Sequence, residues 1–515
     1  MRKNDTIAAL CTAPGGALAI IRISGPDALE ASKRVWTSRK PLSPENPRVL
    51  TFGHTLREDG VRGETCMAVF MPGPASYTGE DVVEIQCHGG EYAPRALLER
   101  IFRTGFVRCA EPGEFTKRAF LNGKLDLTQA EAVADLISAK SESAGRLAER
   151  QLSGALGDRI RSISETLYHL LAEIESRLDF PEENLDWKPC EELLATVDTV
   201  RAELAKLLSG RESSAILRDG VRLVIAGSPN VGKSSLLNRL LGYDRAIVSD
   251  IPGTTRDTLR ESAGIRGIRV ELTDTAGIRE NAADAIEGMG IERSKSSLNL
   301  AEIVFWILDA TADPAADLRK LSETVPAQAD VIAVWNKTDL LPSGFRPPAC
   351  RHKSVAVSAK TGNGIPELLE LFEQSVWKNG DRSEPECAVS LRHARALEEA
   401  DTALLHTRGE IEHEFYELAA SNLRLAVASI ASITGESATP DVLEDIFSRF
   451  CIHSLREHPE KLERFIDSFS SNWGNPEIYR DCMTSALTAA GPLPQWSLAE
   501  TPDHTVVGGA RPGSA

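Results

Sequence analysis

A chain of 515 residues, 42% hydrophobic and 26% charged, has material for about three or four globular domains and the ordinary balance of a water-soluble protein. Its formal net charge of −17 argues against a surface that binds nucleic acid non-specifically, while leaving room for a local basic patch. No apolar run approaches a membrane span, the first six residues lack the apolar core of a signal peptide, and the nine cysteines stand no closer than Cys66 and Cys87, so a cytoplasmic protein without membrane, disulfide framework or Cys-x2-Cys zinc site is expected.

Residues 1–120 mix short β-type runs (Leu18 to Ile23, Met67 to Met71, Val82 to Cys87) with Gly/Pro punctuation and a helical stretch near Tyr92–Arg103, which predicts an α+β domain. Residues 121–216 then turn helical: Ile160, Ile163, Leu167, Leu170, Leu171, Ile174 and Leu178 follow the 3–4 spacing of a buried stripe. Residues 217–378 place the apolar runs Val221 to Ala226, Arg269 to Thr273 and Val331 to Trp335 between helical segments, the pattern of a mostly parallel sheet with flanking helices. Helical spacing resumes over residues 379–454, through Leu397, Leu404, Leu405, Ile411, Phe415 and Leu418. The simplest arrangement inserts the α/β domain into one helical domain built from both flanks, since insertions succeed where chain ends lie close together; two separate helical domains are the alternative. The expected class is therefore multidomain α/β plus α. In residues 455–515, Leu455 to Trp473 has the spacing of an amphipathic helix, and Gly491 to Ala515 reads as disordered, an atypical C-terminal extension.

The most specific text is Gly227-Ser228-Pro229-Asn230-Val231-Gly232-Lys233-Ser234, a phosphate-binding loop between the Val221 strand and a helix that begins Ser235-Leu236-Leu237. Its glycines let backbone N–H groups turn inward on phosphates, Lys233 reaches the β/γ oxygens and Ser234 ligates Mg²⁺. Asp250-Ile251-Pro252-Gly253-Thr254-Thr255 follows at the distance of a first switch, with the Thr255 hydroxyl available to Mg²⁺. Asp274-Thr275-Ala276-Gly277 ends the next strand, where Asp274 holds Mg²⁺ through water and the Gly277 N–H reads the γ-phosphate. Asn336-Lys337-Thr338-Asp339 supplies a carboxylate for the guanine N1–H and 2-amino group, each such bond contributing about 1.5–3 kcal/mol of discrimination. Ser358-Ala359-Lys360 completes the base contacts. The set, in this order, predicts a Ras-like GTPase.

The position after Gly277 is Ile278, which cannot orient water, so hydrolysis needs a substitute for the glutamine and arginine found in other GTPases, an arginine alone supplying about 10³–10⁵ in rate. Two candidates stand nearby: Asn230, whose side-chain oxygen suits a monovalent cation, and Glu287, which is either a water-orienting acid or a solvated one.

Outside this domain the chain carries Ile21-Arg22-Ile23-Ser24-Gly25, Tyr77-Thr78-Gly79-Glu80-Asp81-Val82-Val83-Glu84, His88-Gly89-Gly90, Pro112-Gly113-Glu114-Phe115, the run Arg118 to Leu127, and Ile446 to Ile452. With these, residues 4–452 resemble the MnmE (TrmE) family of tRNA wobble-uridine modification GTPases. The resemblance implies a homodimer through the N-terminal domain and a 5-formyltetrahydrofolate-like donor bound by Arg22, Glu84 and Lys124. It implies K⁺ held by Asn230, Ser249, Ile251 (through its carbonyl) and Thr254, and Glu287 as the water-orienting acid. Cys451 matches a cysteine thought to act near the folate. The family works with a flavoprotein, MnmG (GidA), which carries FAD in a heterotetramer or larger complex and helps install an aminomethyl or carboxymethylaminomethyl group on C5 of tRNA uridine 34. Where the family ends in Cys-Ile-Gly-Lys, this chain has Cys451-Ile452-His453-Ser454 and continues.

The competing reading is a ribosome-assembly GTPase that switches on rRNA; a folate module with a vestigial GTPase fails because no nucleotide-contact position is lost. For tRNA, Arg103, Arg108, Lys117, Arg118 and Lys124 form a locally basic stretch against Glu111 and Glu114, a candidate phosphate-backbone contact.

Overall fold

The computed structural model describes residues 5–13, 15–139, 141–180, 187–243, 260–274, 301–313, 321, 325, 329–342, 344–348, 350–377, 385–448 and 450. The chain divides into two compact units, residues 1–110 with 114–446, and residues 111–113 with those from 447 onward. In the second, the rings of Phe447 and Phe450 lie 5.6 Å apart.

The N-terminal part of the chain is an α+β layer. Strands β1 (Thr6–Leu10), β2 (Leu18–Ser24), β3 (Trp36–Thr37), β4 (Thr51–Leu56), β5 (Arg62–Met71), β6 (Val82–His88) and β7 (Val107–Cys109) form one sheet in the order β3-β4-β5-β6-β2-β1-β7. All pairs are antiparallel except β1 with β7. Period-two alternation turns Ala19, Ile21, Ile23, Cys66, Ala68, Phe70, Val83 and Ile85 toward α1 (Ala28–Val35) and α2 (Tyr92–Arg103), whose Ala31, Val35, Leu97 and Ile101 close the core. Arg22 and Glu84, one position out of phase, face the other side. Helix α3 (Glu114–Leu121) follows.

The helical domain draws on both flanks of the nucleotide domain. From the first come α4 (Leu127–Ser138), α5 (Glu142–Leu152), α6 (Ala155–Asp179), α7 (Cys190–Ser209) and α8 (Arg211–Asp219).

The nucleotide domain has strands β8 (Val221–Gly227), β9 (Arg260–Ile265), β10 (Ile268–Asp274), β11 (Ile303–Asp309), β12 (Asp330–Asn336) and β13 (Lys353–Ala356), with helices α9 (Lys233–Tyr243) and α10 (Ile365–Val376). Sheet order is β13-β12-β11-β8-β10-β9, parallel except for β9. The strands read as continuous apolar runs because both faces are covered. Leu223, Ile225, Phe305, Ile307, Ile332 and Val334 pack on one side, and Val224, Ala226, Val304, Trp306, Ala333 and Trp335 on the other.

Helices α11 (Leu391–Glu412), α12 (Tyr416–Thr434) and α13 (Pro440–Ser448) follow. One core joins Ile160, Ile163, Leu167, Leu170 and Ile174 of α6 and Leu193 to Leu207 of α7 with Leu397, Leu404, Ile411, Leu423, Ala426 and Ile430 of α11 and α12. A single helical domain from two segments is thus what forms. The stripe expected over residues 397–418 needs one correction. Leu405, Phe415 and Leu418 are 51%, 57% and 55% exposed, because the chain turns between α11 and α12 at Glu414 (φ 58°) and the pair meets through the residues on either side of them. Among the described residues no helix is long and apolar enough to cross a membrane.

Candidate functional site

Parallel pairing brings Gly227, Ile307, Asp309 and Asn336 to one edge of the sheet. The phosphate-type loop leaves β8 there. At Gly227 a Cβ would stand 2.4 Å from the Ile307 carbonyl oxygen, and at Gly232 (φ 98°) 2.2 Å from Asn336 Nδ2, so neither position admits a side chain. Asn230 adopts φ 61°, a left-handed conformation that asparagine tolerates better than most residues. Lys233 opens α9 and is buried, its Nζ donating to the carbonyls of Gly227 (3.0 Å) and Ser228 (2.8 Å) across the loop. Ser234 and Ser235 are exposed on the first turn of α9, where free backbone N–H groups favour an anion.

The loops that carry residues 336–339 and 358–360 are tied to that cradle by two side chains, Asn336 and Arg239. Asn336, 3% exposed, donates from Nδ2 to the Val231 carbonyl (2.8 Å) and accepts at Oδ1 from the Ala359 N–H (3.0 Å). Asp339 is exposed and accepts from Ser358 Oγ at 2.7 Å, while Ser358 Oγ itself accepts from the Thr361 N–H. Arg239 of α9 donates to the carbonyls of Ala359 (3.1 Å) and Lys360 (2.5 Å). Lys337 (φ 68°) donates to Asp309 at 2.7 Å; burial pushes the Asp309 carboxyl up, but the bonds from Lys337 and Thr311 outweigh it and hold it below the usual range. Asp274 ends β10 beside Ile225. Ser249, Asp250, Ile251, Pro252, Gly253, Thr254, Thr255, Thr275, Ala276, Gly277, Glu287 and Cys451 lie outside the described residues.

The N-terminal sheet gathers a second group. Arg22 on β2 is the cross-strand partner of Glu84 on β6 and bonds it through Nε (2.8 Å) and Nη2 (2.7 Å). The guanidinium lies over the rings of Tyr77 (4.9 Å) and Phe115 (5.4 Å). Lys124 is exposed, and its Cγ would stand 3.4 Å from a Cβ on Gly79, in the loop that carries Tyr77. A paired cation and carboxylate beside two aromatic faces, with an exposed lysine near, is chemistry that suits a flat heterocycle bearing an acidic tail.

Comparison with known proteins follows the same division. The family described as MnmE helical domain matches residues 127–451, and that described as GTP-binding protein TrmE N-terminus matches residues 6–124. The protein named tRNA modification GTPase MnmE of Symbiobacterium thermophilum is 43% identical over 457 residues, covering 87% of this chain and 99% of its own. Its namesake in Carboxydothermus hydrogenoformans is 41% identical over 461 residues, with 87% and 99% covered. The chain belongs to the MnmE family.

Three features of this MnmE-family chain escaped the sequence reading. Asn336 works as a strut between loops; Tyr77 and Phe115 lay inside quoted motifs without an assigned task; Arg239 gave no signal, being indistinguishable in sequence from a solvated helix residue. The candidate basic patch needs correction. Arg118 is 8% exposed and bonds Asp5, Glu80 and Glu114, Arg108 bonds Asp5 and Glu114, and Arg103 bonds Glu58. Glu114 has no exposed side-chain surface, so Arg108 and Arg118 neutralise buried and half-buried carboxylates rather than stand ready for phosphates, whereas Arg103 and Glu58 form an exposed surface pair. Burial pushes the Asp5 carboxyl up, but Arg108 and Arg118 outweigh it and leave it below the usual range.

Proposed function

We propose that this chain is a potassium-activated GTP hydrolase which, with a flavoprotein partner of the MnmG (GidA) kind, modifies C5 of the wobble uridine, position 34, of certain tRNAs to an aminomethyl or carboxymethylaminomethyl group, drawing one carbon from a 5-formyltetrahydrofolate-like folate. The observation that carries the reading is the pairing of two sites in one chain: a nucleotide cradle braced by Asn336 and a separate aromatic-lined Arg22–Glu84 pair. In this reading residues 1–120 bind folate and dimerise, residues 121–216 and 379–454 form the helical domain, residues 217–378 bind GTP, and residues 455–515 are an appended segment.

Asn230, Val231, Gly232, Lys233, Ser234 and Ser235 take the phosphates with residues 249–255 and 274–277; Asn336, Lys337, Asp339, Ser358, Ala359 and Lys360 take guanine. Ser234 and Thr255 hold Mg²⁺, and Asn230, Ser249, Ile251 and Thr254 hold K⁺. The exposed Ser234 hydroxyl and the left-handed Asn230 backbone support those assignments. Glu287 orients water and Cys451 acts near the folate. Arg22, Glu84 and Lys124 hold the folate, the carboxylate suiting a pterin's donor edge and the cations its glutamate tail. Exposed Leu18 (54%) and Phe52 (61%) on the N-terminal sheet support a homodimer there. FAD comes with the partner, and the site of action is the cytoplasm.

The ribosome-assembly alternative would leave the Arg22–Glu84 group without a task. Mass spectrometry of position-34 uridines in tRNA from cells that lack their own enzyme, supplied with this full-length chain, decides between them. Restored 5-aminomethyl-type uridine supports tRNA modification. Unmodified uridine alongside normal GTP turnover and a cosedimenting ribosomal precursor would favour the alternative.

A further inference from the structure

We propose that Trp377 is a positioning residue for tRNA modification: with Leu147, Leu217 and Ala388 it forms the joint through which the nucleotide domain sets the helical domain. The inference rests on the reading just given, in which nucleotide hydrolysis drives modification.

The chain crosses between the two domains twice, and the described residues at both crossings lie close together. On the way out, α8 passes into β8 through Gly220 alone (φ 82°), where a Cβ would stand 2.6 Å from the Arg269 carbonyl oxygen of β10. Helix α8 also lies against that domain, with Ile216 packed on the nucleotide-domain core. On the way back, Trp377 directly follows α10, its N–H donating to the Glu373 carbonyl at 2.9 Å. The two crossings are fastened to each other by Ser214 of α8. Its hydroxyl is 2.7 Å from the Gly210 carbonyl oxygen and 3.3 Å from that of Cys387, and accepts from the Val389 N–H at 3.3 Å.

Around this knot lies a small apolar cluster set apart from the main helical core: Leu147 of α5, Leu217 of α8 and Ala388 of the returning chain, each under 9% exposed. Trp377 packs on that cluster and also on the nucleotide-domain core, which Ile216 of α8 touches as well. One indole is thus shared by both domains. It stands at the sheet edge where β8 begins, opposite the edge that carries the nucleotide loops, so its removal leaves the nucleotide contacts in place.

A second contact reaches α5 from the β9–β10 hairpin. A Cβ on Gly267 in its turn would lie 3.2 Å from Ser143 Oγ, and the far end of β10 is Asp274. From α5 the connections run onward by hydrogen bonds. Gln129 of α4 donates to the Leu152 carbonyl (2.9 Å), and Gln151 of α5 to that of Thr128 (3.1 Å). Glu131 of α4 accepts from Arg392 Nε (2.9 Å), and Arg392 donates to the carbonyls of Ser432 and Ile433 at the end of α12. Contacts thus run without a break from the β9–β10 turn through α5 and α4 to the end of α12. Contiguous contacts define a route; coupling has to be measured.

The experiment compares the full-length chain with Trp377→Ala, Trp377→Phe, Leu147→Ala and the Trp377→Ala/Leu147→Ala double variant, each assayed for GTP turnover and for wobble-uridine modification with the flavoprotein partner. Trp377→Ala and Leu147→Ala are each expected to keep GTP turnover within about twofold while losing roughly tenfold in modification, in the usual range of coupling between sites. The double variant is expected to lose no more than the worse single one, and Trp377→Phe to keep both activities. On exchange of GDP for a non-hydrolysable GTP analogue the change in tryptophan emission should be clearly smaller in Trp377→Phe than in the wild type, the remainder coming from Trp306 and Trp335 of the nucleotide-domain sheet. Unaltered modification in Trp377→Ala, equal losses of turnover and modification, additive losses in the double variant, or an emission change of undiminished size in Trp377→Phe would each overturn the proposal. A wild-type chain that turns over GTP and modifies nothing would instead sink the functional reading beneath it.

Discussion

Replacing Asn336 with alanine tests the construction of the nucleotide site. Its two bonds, 2.8 Å to the Val231 carbonyl and 3.0 Å from the Ala359 N–H, are buried, and deletion leaves both backbone groups without a partner in a place closed to water. Each orphaned group costs about 1–3 kcal/mol. The phosphate loop and the 358–360 loop are then held less firmly, through the Arg239 bonds, and a nucleotide spanning them must restore the spacing. Even at the low end, about 2 kcal/mol, GDP affinity should fall roughly thirtyfold. Asn336→Asp keeps the acceptor for Ala359 and turns the other oxygen on the Val231 carbonyl, so it should do at least as badly. Titration calorimetry with GDP at 25 °C, paired with a thermal melt to show that the variant is folded, measures this. A folded Asn336→Ala variant binding GDP within threefold of wild type would refute the strut.

GTP turnover should be faster in K⁺ than in Na⁺, and Asn230→Ala should erase most of that difference; equal wild-type rates in both salts would remove the cation from the scheme. Asp135 on α4 tests linkage. Burial pushes its carboxyl up to about 6, with Glu131 and Asp219 adding to the effect and Arg218 opposing it. A raised carboxyl means that the folded state binds the proton more tightly, so its contribution is present below about pH 4 and turns to a penalty as pH rises through about 6. Asp135→Asn should therefore be neutral in acid and stabilising by up to about 3 kcal/mol above pH 7, a ceiling that partial exposure trims. Urea unfolding at pH 4.5 and 7.5 checks it, and a gap independent of pH would discard the shift. Arg118→Met removes one of two cations serving the fully buried Glu114 and should destabilise by about 3 kcal/mol, read by thermal unfolding.

What could be read from the text was whatever local chemistry dictates. The helix at Tyr92–Arg103, the apolar runs of β8 and β12, and the Ile160 to Ile174 stripe announce themselves because period and composition reflect burial directly. The phosphate loop is legible because tight turns leave glycine no substitute at 227 and 232. The outward turn of Leu405, Phe415 and Leu418 was not legible: an apolar residue in a helix reads the same on either face until its neighbour is known. Nor was the fate of Arg108 and Arg118. Five basic residues near one another in sequence look like a patch, yet two of them meet Asp5 from more than 100 positions away. Charge in a sequence has a sign but no partner.

The way the helical domain is assembled has a consequence for how the protein comes into being. Its core needs Leu207 and Cys387 together, although about 180 residues of chain separate them. Closing so long a loop unaided would carry an entropic cost of about 4–5 kcal/mol. The nucleotide domain, once folded, brings its two ends, Val221 and Val376, into one core and shortens the effective loop to a few tens of residues, lowering that cost by about 1–2 kcal/mol. On the ribosome the inserted domain emerges whole before α11 and α12 exist. It therefore folds first, and the older half of the bundle, α6 and α7, waits with its apolar stripe exposed until the younger half arrives. That interval, rather than any weakness of the finished core, is when this chain is most in need of a chaperone.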